Sequence, residues 1–462
     1  MDGHRIAHEA EPDKPSSVKS HIHTSVARQG IFAPGAKLEA EGINVSDSRH
    51  PSRLRPETDV LTRGFDPRLS VGSARPAVFR SSTYVFSSPE EAEKAFDVMG
   101  GRTQLKPGES VDLVYSRFNH PNAEILEAQI IPLEPRAQAA AVFNSGMAAI
   151  MTALLAVVSP GDTIIYTVPI YGGTQTLILD FLQSFGIQGV PVHAGHTSDI
   201  AEAIQNATNL RVILIETPAN PTVVMTDIKH ASETAAAKLR NGTERPVVMV
   251  DNTFLGPAFQ HPLAMGADVV LYSATKYLGG YSDIIGGVAL SQDVPLMKKI
   301  RSKRSLFGNI LQPDECWILN TRLPTVELRM NRQSKNAQRI AERLSTHPKM
   351  ERVYYPTLFE DPEQIRIYQE QCDFPGGLIS LDLKGGKPAA FDFLRHLRLA
   401  RNAVSLGGVE TLICHPRSTT HSSWSQQDLD EAGISDGLVR VSVGIEDWRD
   451  LLADFEQALD SI

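Results

Sequence analysis

The chain has 462 residues and a formal net charge of −9, with 42% hydrophobic and 21% charged residues. This composition is typical of a globular protein large enough for two or three domains. The acidic balance argues against a protein whose main task is to hold nucleic acid or an anionic lipid surface. We therefore expect neither nucleic acid nor a membrane as a partner.

Cysteine usage and the N-terminal residues indicate the compartment. Cys316, Cys372 and Cys414 lie far apart and form no CxxC pair, so neither a disulfide framework nor a zinc site is predicted. No apolar run reaches the roughly 18 residues of a membrane span. The N-terminus lacks the apolar core of a signal peptide, and it carries acidic residues that a transit peptide would avoid. A cytoplasmic location is the expectation.

Residues 1–56 are rich in proline, serine, histidine and charge, with little hydrophobic periodicity. This pattern is typical of a mobile tail. His21 and His23 lie within it, and an isolated histidine pair in such a segment favours a solvated tail over a metal site. No metal site is predicted.

From about residue 140, short apolar runs alternate with helical stretches. The predicted strands are Ala140–Phe143, Thr163–Val168, Gly189–His193, Val212–Glu216, Val247–Asp251, Val269–Ser273 and Gly287–Leu290. The predicted helices between them are Gly146–Val158, Gly172–Phe185, Asp199–Ala207 and Asp227–Leu239. This alternation indicates an α/β architecture with a mostly parallel sheet, whose strands are apolar throughout because both faces are covered. Right-handed crossovers would place the strand ends on one rim, where ligands usually bind.

A different pattern begins near residue 326. A long helix over Val326–Thr346 is followed by predicted strands at Leu378–Leu383 and Leu438–Val443 and a closing amphipathic helix at Asp447–Leu459. This pattern predicts a smaller C-terminal α/β domain over residues 326–462.

The segment Ser273-Ala274-Thr275-Lys276 follows a predicted buried strand. A lysine there is costly unless it is neutral or hydrogen-bonded, and desolvation lowers the pKa of an amine that forms a Schiff base. Ser273 and Thr275 would face the same way if the segment is extended, so both hydroxyls could donate to a phosphate. The alternative is an exposed lysine after a strand.

Two further segments follow predicted strands. Asp251 ends one strand, where a carboxylate suits a protonated pyridine nitrogen, although a turn or cap residue is the alternative. Asn144-Ser145-Gly146-Met147 leads into an apolar helix, whose free N–H groups suit a phosphate. The alternative is an ordinary turn with Ser145 as the helix cap. No Walker-type lysine and no suitably placed GxGxxG is present, so neither a P-loop nor a dinucleotide fold is predicted.

Aromatic and arginine side chains complete the set of candidates. Tyr171 follows a strand and could stack on a flat ring or move protons, with core packing as the alternative. Tyr115 and Arg117 share a face if that segment is extended, and arginine suits bidentate phosphate recognition. A surface pair is the alternative there.

Taken together, these residues resemble the Cys/Met-metabolism family of pyridoxal-phosphate enzymes over about residue 56 to the C-terminus. The matching motifs are YSRFNHPN (115–122), NSGMAA (144–149), YGGT (171–174), ETPANPT (216–222), VDNTF (250–254), SATKYLGG (273–280), SLGGVET (405–411) and LVRVSVGIED (438–447). The resemblance implies the aspartate-aminotransferase-like α/β fold (fold type I). It also implies an N-terminal arm at 57–119 that contacts the partner subunit, a cofactor-binding large domain at 120–325 and the small domain at 326–462.

The resemblance also implies roles at the matching positions. Lys276 would be the Schiff-base lysine and proton shuttle, Asp251 would hold the pyridine nitrogen, and Tyr171 would stack on the ring and take part in catalysis. The phosphate of pyridoxal 5'-phosphate would be bound by Gly146, Met147, Ser273 and Thr275, with Tyr115 and Arg117 supplied by a neighbouring subunit. The implied assembly is therefore a homodimer with shared active sites, within a homotetramer.

For the amino-acid substrate, the resemblance implies that Arg440 clamps the carboxylate and that the Ser405 segment lies beside it. Asn220 would contact the ring hydroxyl region and the substrate. The expected reaction is γ-elimination on a sulfur amino acid such as cystathionine or methionine. The alternative is γ-replacement on an activated homoserine ester.

Individual positions bear on this choice. Val404 matches methionine γ-lyases, whereas cystathionine-directed lyases tend to carry an acidic residue there, and the stretches at 415–424 and 433–435 also resemble lyases. Gly173 stands where methionine γ-lyases carry cysteine, and their Lys-Asp pair is missing around 304–308. Tyr281 stands where many members have histidine, and the stretch at 100–112 is longer than usual.

Overall fold

The computed structural model describes residues 54–106, 109–239 and 244–462. Two β-sheets organise this part of the chain, one of seven strands and one of five. The N-terminal segment with His21 and His23 lies outside the described residues, so its character as a mobile tail stays a prediction. No helix in the described ranges is long and apolar enough to cross a membrane.

The seven-stranded sheet confirms the predicted α/β architecture. Its strands are β1 (Ala139–Phe143), β2 (Thr163–Val168), β3 (Gln188–His193), β4 (Leu210–Glu216), β5 (Val247–Asp251), β6 (Val269–Ser273) and β7 (Gly287–Ser291). They lie in the order β1-β7-β6-β5-β4-β2-β3. Only β7 runs antiparallel to its neighbours, so the sheet is mostly parallel, as predicted. Six of the strands are buried almost throughout, which explains why their sequence runs are apolar rather than alternating, whereas the edge strand β3 is mostly exposed.

Helices cover both faces of this sheet. They are α1 (Pro56–Thr62), α2 (Pro89–Met99), α3 (Pro121–Ile130), α4 (Gly146–Leu155), α5 (Gly172–Thr176), α6 (Thr197–Asn206), α7 (Ile228–Ala237), α8 (Val294–Phe307) and α9 (Pro313–Arg322). The single helix predicted over Gly172–Phe185 is instead α5 followed by a π-helical stretch at Leu177–Leu182. Ile178 and Leu182 of that stretch are buried in the core, so the change of hydrogen-bond pattern lies where the helix packs on the sheet.

The second sheet belongs to the C-terminal part of the chain. Its strands are β8 (Met350–Tyr354), β9 (Leu378–Leu383), β10 (Arg401–Asn402), β11 (Leu412–Cys414) and β12 (Leu438–Ser442), and its order is β10-β11-β12-β9-β8. The helices are α10 (Val326–Leu344), α11 (Pro362–Gln371), α12 (Gly386–His396), α13 (Gln426–Glu431) and α14 (Trp448–Asp460). Strands β8, β10 and β11 were not predicted, because charged Glu351 and Arg352 interrupt β8, β11 has only three residues and β10 consists of two exposed polar residues.

The segment at 57–119 does not extend wholly away from its own chain. Helix α1 packs against α3, and Val60 is 2% exposed within the main hydrophobic core. Further along, Tyr115 forms an isolated bridge with Thr83. The predicted division into arm, large domain and small domain remains a prediction, but the first turns of the predicted arm are part of the large core.

Candidate active site

The carboxyl ends of the parallel strands form one rim of the large sheet. Glu216 ends β4, Asp251 ends β5 and Ser273 ends β6, while Tyr171 follows β2 after two residues. Because the strands are parallel and adjacent, these residues meet at the same edge. The strand ends meet at one rim, as expected from the sequence.

The N-terminus of α4 lies against the end of β6. Ser145 caps the helix, its Oγ accepting a hydrogen bond from the Ala148 amide at 3.1 Å, so the cap interpretation of Ser145 is correct. The amides of Gly146 and Met147 have no acceptor among the described residues. A Cβ at Gly146 would lie 2.9 Å from Cβ of Ser273, so glycine permits this close approach. Two free N–H groups, the positive helix end and the nearby Ser273 hydroxyl form a cradle suited to a phosphate.

Thr275 is oriented differently from the sequence expectation. The chain leaves the extended conformation after Ser273, and the segment that follows is a turn. The Thr275 hydroxyl donates to the Gly286 carbonyl at 3.3 Å and accepts from the Gly286 amide at 3.1 Å. The assumption that Ser273 and Thr275 share a face of an extended segment is therefore wrong, and Thr275 holds the turn before Lys276 to the start of β7.

Lys276 lies in that turn with its amine half-buried. Its Nζ donates a hydrogen bond to Oγ of Ser405 at 3.1 Å. Burial, with a smaller contribution from the Arg440 guanidinium, lowers the pKa of Lys276 to about 8. The side chain is thus not a freely solvated surface lysine, and a substantial fraction of the amine is neutral at mildly alkaline pH.

Asp251 is held by the residue two positions further on. Its Oδ1 accepts hydrogen bonds from the Thr253 amide at 3.1 Å and from the Thr253 hydroxyl at 2.5 Å. The same hydroxyl accepts from the Ser273 amide at 2.9 Å, which ties β5 to β6. Oδ2 has no hydrogen bond to another described residue and is therefore free to accept from a ligand. Burial raises the pKa of the Asp251 carboxyl, while the Thr253 hydrogen bonds oppose that rise.

Arg440, on β12, connects the second sheet to the rim of the first. It is 2% exposed, and its Nη1 donates to Oδ1 of Asn220 at 3.0 Å. Its Nη2 donates to the carbonyl of Ser405 at 3.0 Å and to that of Val404 at 3.5 Å. Its Nε is buried without a partner among the described residues. A buried guanidinium with an unused donor suits a carboxylate ligand.

Tyr171 presents its ring at the mouth of the site, where the side chain is 45% exposed. A Cβ at Gly173 would lie 2.7 Å from Cε1 of this ring and 3.2 Å from Sδ of Met147. The ring therefore lies over Gly173, and a cysteine there would have to displace it. This contact gives a physical reason for glycine at this position.

The structure does not bring Tyr115 and Arg117 to the other candidates within one chain. Both are exposed, and the chain turns after Tyr115 rather than staying extended. Nη1 of Arg117 donates to the carbonyl of Ser305 at 2.7 Å, at the end of α8. Neither side chain has a contact with Gly146 or Ser273 in the described chain, so any role in the same site needs a second copy.

Sequence reasoning missed three residues of the site. Thr253 links Asp251 to β6, and Glu216 is buried beside Asp251. His421 is fully buried, and burial together with Arg440 lowers its pKa to about 4. Glu216 could have been found by the signal that singled out Asp251, since each is a carboxylate that ends an apolar strand. No comparable sequence pattern marks Thr253 or His421 as a site residue.

This arrangement defines a class of protein. A strand rim with a helix-end phosphate cradle, a strand-end aspartate and a half-buried lysine, in an α/β fold of this topology, is that of a fold type I pyridoxal-phosphate enzyme. The model of the family described as "Cys/Met metabolism PLP-dependent enzyme" matches residues 57–460. The chain belongs to that family, and it is an enzyme of sulfur amino-acid metabolism that uses pyridoxal 5'-phosphate.

Similar proteins carry more than one activity in their names. An L-methionine gamma-lyase from Fusobacterium nucleatum is 37% identical over 393 residues, covering 85% of this chain and 94% of that protein. A cystathionine gamma-synthase from Mycobacterium bovis is 38% identical over 411 residues, covering 89% and 98%. A solved structure of cystathionine gamma-lyase from Lactobacillus plantarum complexed with L-serine has a TM-score of 0.78 and 33% identity, covering 88% and 99%. Elimination and replacement therefore both occur among similar proteins.

The residues present fit the cofactor. A Cβ at Gly146 would crowd Ser273, so the cradle at α4 is shaped for close backbone approach, and its free amides suit the phosphate. Oδ2 of Asp251 is available to a protonated ring nitrogen. Lys276 has an amine of lowered pKa, as attachment to an aldehyde requires.

Proposed function

We propose that this enzyme catalyses γ-elimination on a sulfur amino acid, releasing a 2-oxo acid, ammonia and a thiol. The observation that supports elimination is the side chain of Val404, which is 57% exposed directly before Ser405. An apolar side chain at this place suits an uncharged thioether substituent such as that of methionine. It offers no partner to the charged distal end of cystathionine, which remains the second candidate substrate.

The proposed mechanism assigns a task to each side chain. The bound cofactor supplies an electron sink that stabilises negative charge beside the amino-acid nitrogen. Asp251, whose Oδ1 is bonded to Thr253, would hold the ring nitrogen in its protonated form. Lys276 takes and returns protons at Nζ, and its lowered pKa suits that task near neutral pH. Ser405 orients this amine through its hydroxyl.

Substrate binding is assigned to the buried polar groups beside Lys276. Arg440 binds the substrate carboxylate, using the donor at Nε that has no partner among the described residues. Asn220 orients this guanidinium through Oδ1 and would contact the cofactor ring and the substrate. Tyr171 would stack on the ring, and its hydroxyl would be available for proton transfer.

We propose that phosphate binding is completed by a second copy of the chain. Gly146, Met147 and Ser273 belong to one copy, while Tyr115 and Arg117 come from the other. The support is that Arg117 is exposed and separate from the cradle of its own chain, although its guanidinium suits a phosphate. Thr275 is assigned a supporting task, because its hydroxyl is bonded to Gly286.

The second candidate is γ-replacement, in which a thiol traps the intermediate formed from an activated homoserine ester. The same lysine, aspartate and arginine would serve both reactions, and the similarity to a cystathionine gamma-synthase favours keeping this alternative. The two reactions differ only in whether water or an added nucleophile takes part in the final steps.

The deciding experiment measures 2-oxobutyrate released from methionine, cystathionine and O-acetylhomoserine, each with and without added thiol. We expect release from a thioether substrate that changes little when thiol is added. If only the homoserine ester reacts and thiol diverts it into a new amino acid, the enzyme is a transferase and the proposal of elimination fails. The Lys276→Ala variant, purified in the same way, controls for contaminating activity.

A further inference from the structure

Glu216 occupies a position that connects the two loops on which Tyr171 and Asn220 lie. It ends β4 and is directly opposite Asp251 of β5 in the strand register. Its Oε2 accepts a hydrogen bond from the Tyr171 amide at 2.8 Å, and its Oε1 accepts from the Asn220 amide at 3.1 Å. One buried carboxylate therefore anchors the chain segment after β2 and the segment after β4.

Both anchored residues depend on this backbone support. The Tyr171 ring is half exposed, so core packing does not determine its position. Asn220 is buried, and its Oδ1 accepts the hydrogen bond from Arg440. A displacement of the Asn220 backbone would therefore shift the acceptor that orients the guanidinium.

Burying the carboxyl group of Glu216 costs free energy. The side chain is buried, and burial together with the nearby Asp251 carboxyl raises the pKa of Glu216 to about 8, while Arg440 acts in the opposite direction. Gln would fill the same space. However, it has only one oxygen, so it cannot accept hydrogen bonds from both amides.

We propose that Glu216 is a positioning residue that holds Tyr171 and Asn220, and through them the cofactor ring and Arg440, in their working arrangement. This inference rests on the cofactor site of the proposed function but not on the choice between elimination and replacement. Glu216 has no direct contact with Lys276 or Arg440 among the hydrogen bonds of the described chain. It therefore acts through the two backbone amides.

The test uses the full-length enzyme and measures cofactor binding rather than turnover alone. We expect Glu216→Gln to bind pyridoxal 5'-phosphate about tenfold more weakly than wild type, as one lost hydrogen bond implies. We also expect a weaker circular dichroism signal in the absorption band of the bound cofactor, because the stacked ring is less firmly held. Glu216→Asp keeps the carboxyl group but cannot reach both amides, so it should show the same loss.

A matched control comes from the C-terminal part of the chain. Asp454 is buried, and its carboxylate accepts hydrogen bonds from the amides of Arg398 and Leu399 at 2.8 and 2.9 Å. Asp454→Asn should lower the thermal stability without changing cofactor affinity or its dichroism. Cofactor binding within twofold of wild type in both Glu216 variants, with unchanged dichroism, would overturn the proposal.

Double variants test the route of the effect. If Glu216 acts through the two anchored residues, the loss caused by Glu216→Gln should be smaller when Tyr171→Ala or Asn220→Ala is already present. Full additivity with both would show that it does not act through them. The single variant Tyr171→Ala reports separately on the proposed stacking role, and the product assay reports separately on the reaction type.

Discussion

Lys276 has an amine whose protonation changes in an accessible pH range. Burial and the Arg440 guanidinium lower its pKa to about 8, and the neutral amine is the nucleophilic form. The reactive fraction should therefore rise with pH through that value. We expect labelling of Lys276 in the cofactor-free enzyme by an amine-selective reagent, followed by mass spectrometry, to have its midpoint near pH 8. A midpoint near the ordinary lysine value of about 10.4 would contradict this; exposed Lys298 is the internal reference.

A single substitution at Arg440 tests whether this residue binds the substrate carboxylate. Its guanidinium donates to Asn220 and to the carbonyls of Val404 and Ser405, a geometry that a lysine ammonium cannot reproduce. We expect Arg440→Lys to raise KM for the amino-acid substrate about 10- to 100-fold, in line with the loss of charged hydrogen bonds. The absorbance of the bound cofactor should change little.

Steady-state kinetics and the absorption spectrum of the same preparation check the Arg440 prediction. Arg449→Lys is the control, because Arg449 is exposed on α14 and pairs with Asp447 in solvent. An unchanged KM in Arg440→Lys would mean that this arginine does not bind the substrate carboxylate.

Helices α3 and α8 are joined to β1 by a buried carboxylate. Oε1 of Glu127 accepts from Arg304 at 2.6 Å and from the Val142 amide at 3.1 Å, while Oε2 accepts from Arg301 at 2.9 Å. Removing one partner of a buried ion pair leaves the other charge without compensation. We expect Glu127→Gln to lower the free energy of unfolding by about 3–5 kcal/mol, measured by denaturant titration. A loss below about 1 kcal/mol would mean that this network contributes little to stability.

The same network has a defined pH dependence. Burial opposes ionisation of Glu127, but Arg301 and Arg304 outweigh it and hold the pKa of the carboxyl below its ordinary value. A carboxyl with a lowered folded-state pKa stabilises the protein fully above its unfolded value of 4.5, and this stabilisation is lost as the pH falls through the folded value. The stability difference between wild type and Glu127→Gln should therefore be constant near neutral pH and shrink in acid. A difference that grows below pH 4.5 would contradict the assignment.

At the scale of the whole molecule, the shared site predicts complementation between an inactive variant and an impaired one. In the proposed assembly, Lys276 of one copy works with Arg117 of the other. Lys276→Ala should abolish turnover, and Arg117→Ala should weaken cofactor retention. When the two variants are unfolded together and refolded, a mixed dimer contains one site with both residues intact. We expect about a quarter of the wild-type activity after random pairing of the copies.

The control for complementation is each variant refolded alone, which should stay at its own low activity. Mixing Lys276→Ala with a variant altered at Asp251, which belongs to the same copy's site, should restore nothing. Recovery in that second mixture, or none in the first, would contradict the shared site.

Much of the large sheet was predictable because buried parallel strands are read directly from continuous apolar runs. Strands β2, β5 and β6 have the predicted bounds, so β5 ends at Asp251 and β6 ends at Ser273, as predicted. The second sheet was harder to predict. Strand β10 is two exposed residues long, and its pairing with β11 depends on contacts that no local pattern encodes.

The sequence by itself determined the class of enzyme, the cofactor, the strand-end position of Asp251 and the position of Lys276 shortly after a strand. It could do so because each of these depends on a residue type beside a local apolar run, or on a motif of contiguous residues. Only the tertiary structure decided that Glu216 anchors both neighbouring loops and that Thr275 faces Gly286. Those contacts join segments that follow different strands, and the direction of a side chain in a turn is set by packing rather than by spacing along the chain.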